Sequence, residues 1–201
     1  VAYQRIYDKY FAPLGEHRGV KVLAVFTHGP GIIFTVKQPV TSAADAGKLK
    51  FRIGGGNINE LSKLMGWNTT LKPATDSFEL LSTGVMDGTF FPDESLQSMR
   101  LQMVKYATTF PGGLYNTSFV FMMNPAKYDA LSAQDKAVVD KLSGEYAARL
   151  FGAGWDKVDD ASVNGAQKAQ GVQRIKASEA FVSEVKSKQA GLEDKWIAAA
   201  E

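Results

Sequence analysis

The alternation of apolar and polar residues near the middle of the chain predicts a strand that carries an arginine close to its end. Phe51 and Ile53 alternate with Lys50 and Arg52, which is the period of two expected for a strand. The glycines 54–56 then turn the chain into a helix. In open α/β sheets, ligands usually bind at the carboxyl ends of strands, beside such loops. The pattern therefore predicts a ligand site around Arg52.

Similar patterns predict strands and helices in alternation along most of the chain. The other predicted strands cover residues 20–26, 32–37, 67–71, 85–86, 118–124 and 172–175. The longest predicted helix runs from residue 132 through 150, with a bend or break at the glycines 152, 154 and 165. A further helix is predicted to start at Pro92, and a last one covers residues 181–196. The alternation indicates an α/β architecture.

Several polar residues are predicted to cap these helices. Ser42 precedes a short helical turn, and Ser132 precedes the longest helix. Asn57 or Asn59 is predicted to cap the helix after the glycines, and Thr75 the helix after that. The aromatic pattern at the start of the chain predicts a helix, but no capping residue precedes it. We therefore expect that a segment that would come before this helix is missing from the sequence.

Composition limits the classes of function. At 201 residues, of which 45% are hydrophobic, the chain can form one large or two small domains. A net charge of +2 is too weak to indicate nucleic-acid binding. The absence of cysteine excludes disulfides, and the two histidines, His17 and His28, offer little from which to build a zinc site. The sequence contains no apolar run of the roughly 18 residues needed to span a membrane.

The motifs of common enzyme classes are absent. The run GGGNIN lacks the last glycine of a dinucleotide fingerprint, and no phosphate loop, G-x-S-x-G or HExxH motif occurs. The glycines either let the backbone turn closely or let it approach a ligand, and the sequence leaves both open. Asp93 and Glu94 are better explained by the dipole of a helix's first turn than by a metal site.

Two adjacent aromatic residues, Phe90 and Phe91, are candidate walls of the site. On an extended segment they point to opposite faces, so we expect at most one of them to lie in the core. The alternative is that both pack in the core, and that Arg52 extends to solvent. Taken alone, these residues support a small pocket with one cation and apolar walls.

The segment from Lys48 to Pro92 resembles a known family. It reads KLKFRIGGGNINELSKLMGWNTTLKPATDSFELLSTGVMDGTFFP. This order of an L-K-hydrophobic-R strand, a helix ending in Met-Gly, and Thr-Gly-Val-x-Asp-Gly before a proline is similar to tripartite ATP-independent periplasmic (TRAP) transporter solute-binding proteins. VKQPVTSAADAGKLKFR and FVFMMNPAKYDALSAQDKAVVDKL extend the resemblance over most of the chain from about Val20 onward.

This resemblance implies a fold. Such proteins are two-lobed α/β periplasmic binding proteins (type II-like) with a cleft between the lobes and a long helix spanning them. Residues 1–29 and 117–156 would form the first lobe, with its N-terminal part missing. Residues 30–116 and 157–201 would form the second lobe, which carries the arginine.

The resemblance also implies a site. The family's strand arginine pairs with a ligand carboxylate, a role that transfers to Arg52. Where many members have an asparagine before the proline, this chain has Phe91. A pocket aromatic of the family aligns with Ala74, and a second arginine found in acid-sugar and dicarboxylate binders falls at Gly31 or Ile32. The complete set of predicted ligand contacts is Arg52, Phe91, Phe90, Gly55, Ala74 and Asn116.

The function implied is capture of a small organic acid without chemistry on it. Because the departures replace polar contacts by apolar area, we expect a monocarboxylate with an apolar or aromatic body. The resemblance implies a periplasmic receptor that serves the membrane subunits of a TRAP transporter, with no cofactor, metal or nucleic acid. The alternatives are a small α/β enzyme acting on an organic acid, and a ligand-free sensory or structural derivative.

Overall fold

The computed structural model describes the backbone of residues 1–200 and the side chains of residues 1–198. Its internal contacts divide the chain into two units. The first unit is Val1–Gly29 with Asn116–Val158, and the second is Pro30–Tyr115 with Asp159–Glu201. The assignment of these units to the two predicted lobes stays a prediction.

The described residues contain eight strands and ten α-helices. The strands are β1 (Lys21–Thr27), β2 (Ile32–Thr35), β3 (Lys50–Ile53), β4 (Asn68–Leu71), β5 (Gly88–Phe91), β6 (Tyr106–Thr109), β7 (Ser118–Met123) and β8 (Gln173–Lys176). The helices are α1 (Ala2–Ile6), α2 (Ala43–Gly47), α3 (Asn57–Leu64), α4 (Ser77–Ser82), α5 (Ser95–Ser98), α6 (Pro125–Asp129), α7 (Ala133–Leu142), α8 (Glu145–Ala161), α9 (Lys168–Gln170) and α10 (Glu179–Ala200). Segments of 3-10 or π geometry cover Tyr7–Phe11, Ala12–Leu14, Ala74–Asp76 and Ser162–Gln167.

The second unit is built on a mixed sheet of six strands in the order β4-β3-β5-β2-β6-β8. Strand β3 runs parallel to both β4 and β5, whereas β2 is antiparallel to β5 and β6. The carboxyl ends of β3 and β5 therefore meet at one edge of the sheet. Arg52 pairs with Thr89 in register, which places the arginine near this edge.

Both faces of this sheet are buried by apolar side chains. On one face, strand residues Ile33, Phe51 and Phe90 pack with residues of α2, α3 and α10. On the other face, Phe34 and Phe91 pack with residues of α4, α5 and the segment that follows α5. Each buried phenylalanine removes enough apolar surface from water to contribute about 1.5–3 kcal/mol.

The first unit contains the antiparallel pair β1–β7, with a bulge between Val22 and Ala24. A row of aromatic rings packs beside it: Phe26 lies 5.4 Å from Phe119 and 4.5 Å from Phe151, measured between ring centroids. The N-terminal helix is fixed by a side-chain hydrogen bond, since the Val25 amide donates to Gln4 Oε1 at 2.7 Å.

Several sequence predictions are confirmed. The alternating residues around Arg52 form β3, and the predicted strand at 118–124 is β7. Ser42 caps α2 in a complete capping box, because its side chain accepts from the Asp45 amide while Asp45 accepts from the Ser42 amide. Ser132 caps α7 by accepting from the Asp135 amide.

Two predicted helix caps are wrong. Helix α3 starts after Gly56, whose φ of 76° belongs to the left-handed region, and no side chain caps it. Neither Asn57 nor Asn59 is therefore the cap. Thr75 lies inside the 3-10 turn that precedes α4 and makes no cap either. Both helices therefore begin without a side-chain cap, although the sequence pattern favours one.

The predicted strand at residues 85–86 is also misplaced, because the strand in this region is β5 (Gly88–Phe91). A side chain at Gly88 would lie 2.4 Å from the Phe34 carbonyl oxygen and 2.6 Å from the Phe51 ring. Gly88, directly after Asp87, therefore starts a buried strand at a point of close approach.

The helix predicted to start at Pro92 is much shorter and begins later, at Ser95. Asp93 does not serve a helix dipole. Its Oδ1 accepts from Arg174 Nη1 at 2.5 Å and from Gln167 Nε2 at 2.6 Å, and its backbone carbonyl accepts from Ser162 Oγ at 2.6 Å. This network ties the segment after β5 to the segment around α9.

The longest predicted helix is in fact two helices. α7 ends at Leu142, and α8 starts at Glu145, after Gly144 with a φ of 60°. The expected break at Gly152 and Gly154 does not occur, whereas Gly165 lies in the π-helical segment. Strand β6 was missed because its sequence, YATT, is short and carries no clear alternation.

The Asp45 capping box predicts a pH dependence of stability. Hydrogen bonds from Thr41 and Ser42 hold the pKa of Asp45 down to about 2. A depressed carboxyl pKa stabilises the fold above the unfolded-state pKa of about 3.9, and this contribution is lost as the pH falls towards 2. At pH 7, Asp45→Asn should lower the unfolding free energy by about 0.5–2 kcal/mol.

Thermal or urea unfolding between pH 7 and pH 2 measures this effect as the difference between the wild type and Asp45→Asn. The difference should shrink between about pH 4 and pH 2. Asp160→Asn is the matched control at an exposed carboxylate of α8 and should show no such change. A constant difference across this range would contradict the assignment.

Candidate functional site

The arginine predicted from the sequence lies where β3 meets the glycine turn, and it is buried. Arg52 is only 4% exposed. Its side chain lies on the sheet face opposite Phe51 and Ile53, because successive residues of a strand point to opposite faces. The alternative that Arg52 extends to solvent is therefore wrong.

The contacts of the Arg52 guanidinium are unusual for a buried charge. Its Nε donates to the Lys72 carbonyl oxygen at 2.9 Å. Its Cζ lies 4.6 Å from the centroid of the Phe91 ring, so the guanidinium forms a cation–π contact with the face of this ring. Among the residues that the structure describes, none accepts a hydrogen bond from Nη1 or Nη2, and no carboxylate forms a salt bridge with Arg52.

The electrostatic consequence is a buried cation that has no salt-bridge partner among the described residues. Burial lowers the pKa of Arg52 from its ordinary value, while Tyr115 and Asp76 act weakly in the opposite direction. An arginine remains protonated at neutral pH even after such a shift. Because a buried charge is costly unless paired, this arrangement suits the binding of an anion with two oxygens, which would pair with the two Nη groups.

The two adjacent phenylalanines have different surroundings. Phe90 is 1% exposed, and its ring lies 5.0 Å from that of Phe51 and 5.8 Å from that of Trp67. Phe91 is 8% exposed and lies against the guanidinium. The expectation that at most one of them belongs to a core is wrong, because helices cover both faces of the sheet. Their predicted contact with a ligand stays a prediction, which the burial of Phe90 does not favour.

The other predicted contacts are spread over the chain. Gly55 is exposed in the turn after β3, and Ala74 is half-buried in the 3-10 turn before α4. Both belong to the same unit as Arg52. Asn116 belongs to the first unit, where its Nδ2 donates to the His28 carbonyl oxygen at 3.2 Å. The predicted ligand contacts of all three stay predictions.

Sequence reasoning missed two residues near the arginine. Thr89 is fully buried beside Arg52 in register, and its hydroxyl has no hydrogen-bond partner among the described residues. Tyr115 lies close enough for the charge of Arg52 to lower its pKa, against the larger effect of burial, which raises it. Neither residue follows a recognisable motif, since strand register and chain return bring them to this edge.

The remaining chemistry of the described residues is limited. They contain no group of three or more histidine, aspartate or glutamate side chains placed to hold a metal ion. In the part of the chain that the structure describes, no helix combines the length and apolar character needed to cross a bilayer. The arrangement around Arg52 can bind an anion, and it contains no nucleophile beside a base.

The comparisons with known proteins agree with this fold. The model of the bacterial extracellular solute-binding protein family 7 (DctP) matches residues 1–198. This chain belongs to that family of solute-binding proteins.

Solved TRAP solute-binding proteins share the fold of this chain. One is a TRAP periplasmic solute-binding protein from Bordetella bronchiseptica, whose structure contains bound (R)- and (S)-mandelate. It is 40% identical in sequence and has a TM-score of 0.93, and the match covers 100% of this chain and 64% of that chain. Another is a marine metagenome TRAP solute-binding protein specific for aromatic acid ligands, whose structure contains metahydroxyphenylacetate. It is 34% identical and has a TM-score of 0.90, and the match covers 99% of this chain and 63% of that chain.

A curated relative, the outer membrane transporter protein TsaT of Comamonas testosteroni, is 29% identical over 98% of this chain and 58% of its own length. The chain thus spans about three fifths of the length of these three relatives. All three relatives are transport proteins.

The uncompensated charge of Arg52 predicts a trade-off between stability and binding. Replacing a buried charge that lacks a partner by an apolar side chain of similar length is neutral or stabilising. Without ligand, Arg52→Met should therefore leave the unfolding free energy unchanged or raise it by about 1–4 kcal/mol. Chemical denaturation of the ligand-free protein measures this change.

Arg174→Met is the matched control, because Arg174 is an arginine that has a carboxylate partner. Its removal takes a hydrogen-bond donor from the Asp93 carboxylate and from Gln167 Oε1, and it should lower the unfolding free energy by about 1–3 kcal/mol. Equal destabilisation by both variants would show that Arg52 is compensated in the ligand-free protein.

Proposed function

We propose that this chain is the carboxylate-capturing part of a TRAP solute receptor and that its ligand is a monocarboxylate with an aromatic body. Arg52 binds the carboxylate through its two Nη groups. The observation that supports this most directly is the burial of the Arg52 guanidinium without a salt-bridge partner among the described residues. A buried charge costs stability unless it is paired, and a ligand carboxylate would supply the missing partner.

Charge alone does not provide the affinity of a receptor. A charge-assisted pair contributes about 1.5–3 kcal/mol, while micromolar binding needs roughly 8 kcal/mol. The remainder must come from burial of the ligand's body, and a fully buried ring contributes about 1.5–3 kcal/mol. This requirement favours a ligand with a large apolar part over a small, highly charged one.

The relatives support an aromatic body. The Bordetella protein was solved with mandelate, and the marine protein is described as specific for aromatic acids. Both match nearly the whole of this chain at 34% identity or more. We extend their ligand class to this chain because Phe91 places an apolar ring beside Arg52.

The same family membership supports the remaining parts of the proposal. We infer that the receptor acts outside the cytoplasm, in the periplasm, and delivers its ligand to the membrane subunits of a TRAP transporter. We infer no catalytic activity, because a guanidinium that binds an anion beside no nucleophile or base performs capture and not chemistry. The predicted closure of two lobes around the ligand stays a prediction.

A ligand screen tests the proposed class. Thermal-shift measurements on the purified protein should show stabilisation by benzoate, mandelate and hydroxybenzoate, and little or none by succinate, glucuronate or sialic acid. A ligand at 100 times its Kd stabilises the folded state by about 2.7 kcal/mol, which such a screen detects. Stabilisation by the dicarboxylate or acid sugars alone would contradict the proposal, and no response to any acid would favour the ligand-free derivative.

The role of Arg52 needs a separate titration. Calorimetry with benzoate should show that Arg52→Met weakens binding by at least about 2 kcal/mol, or roughly 30-fold, because the carboxylate loses its charged partner. Lys72→Ala is the matched control: it removes a nearby exposed cation but keeps the backbone carbonyl that holds Nε. It should change the affinity by less than about threefold. Retained affinity in Arg52→Met would contradict the role.

A further inference from the structure

The chain leaves β5 through a proline and is then held by an ion pair. Pro92 follows Phe91, and Asp93 follows Pro92. Both carboxylate oxygens of Asp93 accept from Arg174, Oδ1 from Nη1 at 2.5 Å and Oδ2 from Nη2 at 3.1 Å. The Asp93 side chain is 14% exposed. Because the pair is two-pronged, it fixes the carboxylate in direction as well as in position.

Two buried polar side chains complete this ion pair. The Nε2 of Gln167 donates to Asp93 Oδ1 at 2.6 Å, and its Oε1 accepts from Arg174 Nη1 at 2.6 Å. The Oγ of Ser162 donates to the Asp93 carbonyl oxygen at 2.6 Å. Gln167 and Ser162 are both buried. We call Asp93, Ser162, Gln167 and Arg174 the Asp93 clasp. A network whose members are hydrogen-bonded in this way is rigid.

The Asp93 clasp depends on an irregular helix. Ser162 and Gln167 are the first and last residues of the π-helical segment Ser162–Gln167. In a regular α-helix, residues five apart lie about 140° apart around the axis, so they face different sides. The wider π turn brings the two side chains together, and Gln167 Nε2 donates to Ser162 Oγ at 3.3 Å. Such turns are frequent at functional sites.

The backbone connects the Asp93 clasp to the aromatic ring beside the arginine. Phe91 pairs with Ile32 of β2. Among the described residues, the pairing of β5 with β3 extends only to Arg52 and Thr89, so no strand holds Phe91 on that side. The clasp begins two residues further on, and the ring of Pro92 fixes φ between them. The backbone from the clasp to Phe91 therefore has little freedom.

Side-chain packing makes a second connection. Ala166, from the same π-helical segment, packs against the cluster of buried residues that contains Phe91. Val172, two residues before Arg174, packs against the same cluster. The Asp93 clasp therefore holds this segment against the sheet face that carries Phe91.

We propose that Asp93 is a positioning residue of the anion site and that, through the clasp, it holds the Phe91 ring against the Arg52 guanidinium. This inference goes beyond the proposed function and rests on it. The ring contact at 4.6 Å keeps the guanidinium in one orientation before a ligand arrives. Ordering a flexible charged side chain during binding weakens the affinity about 2- to 12-fold, and an orientation that is already formed avoids this loss.

Calorimetric titration with benzoate tests this role with two aspartate variants in the same unit. Asp93→Asn removes the negative charge of the clasp and should weaken binding about 2- to 12-fold. Arg174→Met, which removes the positive charge, should weaken it by a similar factor.

Asp45→Asn is the matched control, because Asp45 caps α2, whose residues pack on the opposite face of the sheet. It should lower the stability but change the affinity for benzoate by less than about twofold. An unchanged affinity in Asp93→Asn, or an equal loss in Asp45→Asn, would overturn the proposal.

A double-mutant cycle tests whether Asp93 acts through the ring. The ring is absent in Phe91→Leu, so adding Asp93→Asn should cause less than about a twofold further loss of affinity. A full further loss would contradict the route through Phe91. If Phe91→Leu does not fold, Phe91→Met takes its place, because it also lacks the ring and its flexible side chain fills irregular space.

A measurement without ligand separates positioning from stability. The Phe91 ring shifts the NMR signal of the Arg52 Nε–H, which is identified as the signal that Arg52→Met lacks. Asp93→Asn should move this signal, and Asp45→Asn should not, even where both variants lower the melting temperature. An unmoved signal in folded Asp93→Asn would show that the clasp has a purely structural role.

The outcomes separate this inference from the proposed function. A wild type that binds no aromatic acid overturns the proposed function and the effect on affinity with it, whereas the NMR signal still decides whether Asp93 holds Phe91 at Arg52. A wild type that binds benzoate, together with an unchanged affinity in Asp93→Asn, overturns the role of Asp93 and leaves the carboxylate site intact.

Discussion

The fold of the second unit is organised around the burial of one positive charge. The Arg52 side chain is buried. Among the described residues, its guanidinium contacts only one carbonyl oxygen, by a hydrogen bond, and the face of one aromatic ring. Such an arrangement persists only if the surrounding structure is stable enough to carry it. The surroundings meet this condition through a six-stranded sheet whose two faces are both packed with phenylalanines.

Packing on both faces also decides what each aromatic residue does. Adjacent residues of β5 point to opposite sides, so Phe90 stabilises one core while Phe91 closes the other beneath the guanidinium. The close approach at Gly88 lets β5 lie tightly between β3 and β2, the strands that bring Arg52 and Phe91 to neighbouring positions. The position of the cation is therefore a property of strand packing and not of a flexible loop.

The sequence predicts the local parts of this arrangement better than the distant ones. The strand that carries Arg52 and the cap at Ser42 follow from neighbouring residues, and both are confirmed. Thr75 fails as a cap because it lies inside the 3-10 turn that leads into α4, and that turn is not signalled by the neighbouring residues. Strand β6 pairs with β8, more than sixty residues away, and its own residues carry little signal. The absence of a partner for Arg52 among the described residues depends on everything that folds around it, which no local pattern encodes.

The single hydrogen bond at Nε has a consequence for stereochemistry. It fixes the guanidinium about its long axis and leaves the two Nη groups as an end-on fork. That fork is symmetric about the line from Cζ to an approaching carboxylate carbon, so for any acid held there the anchor has no handedness. Mirror-image acids would meet it equally well, and discrimination between enantiomers would have to arise from the walls beyond the first carbon.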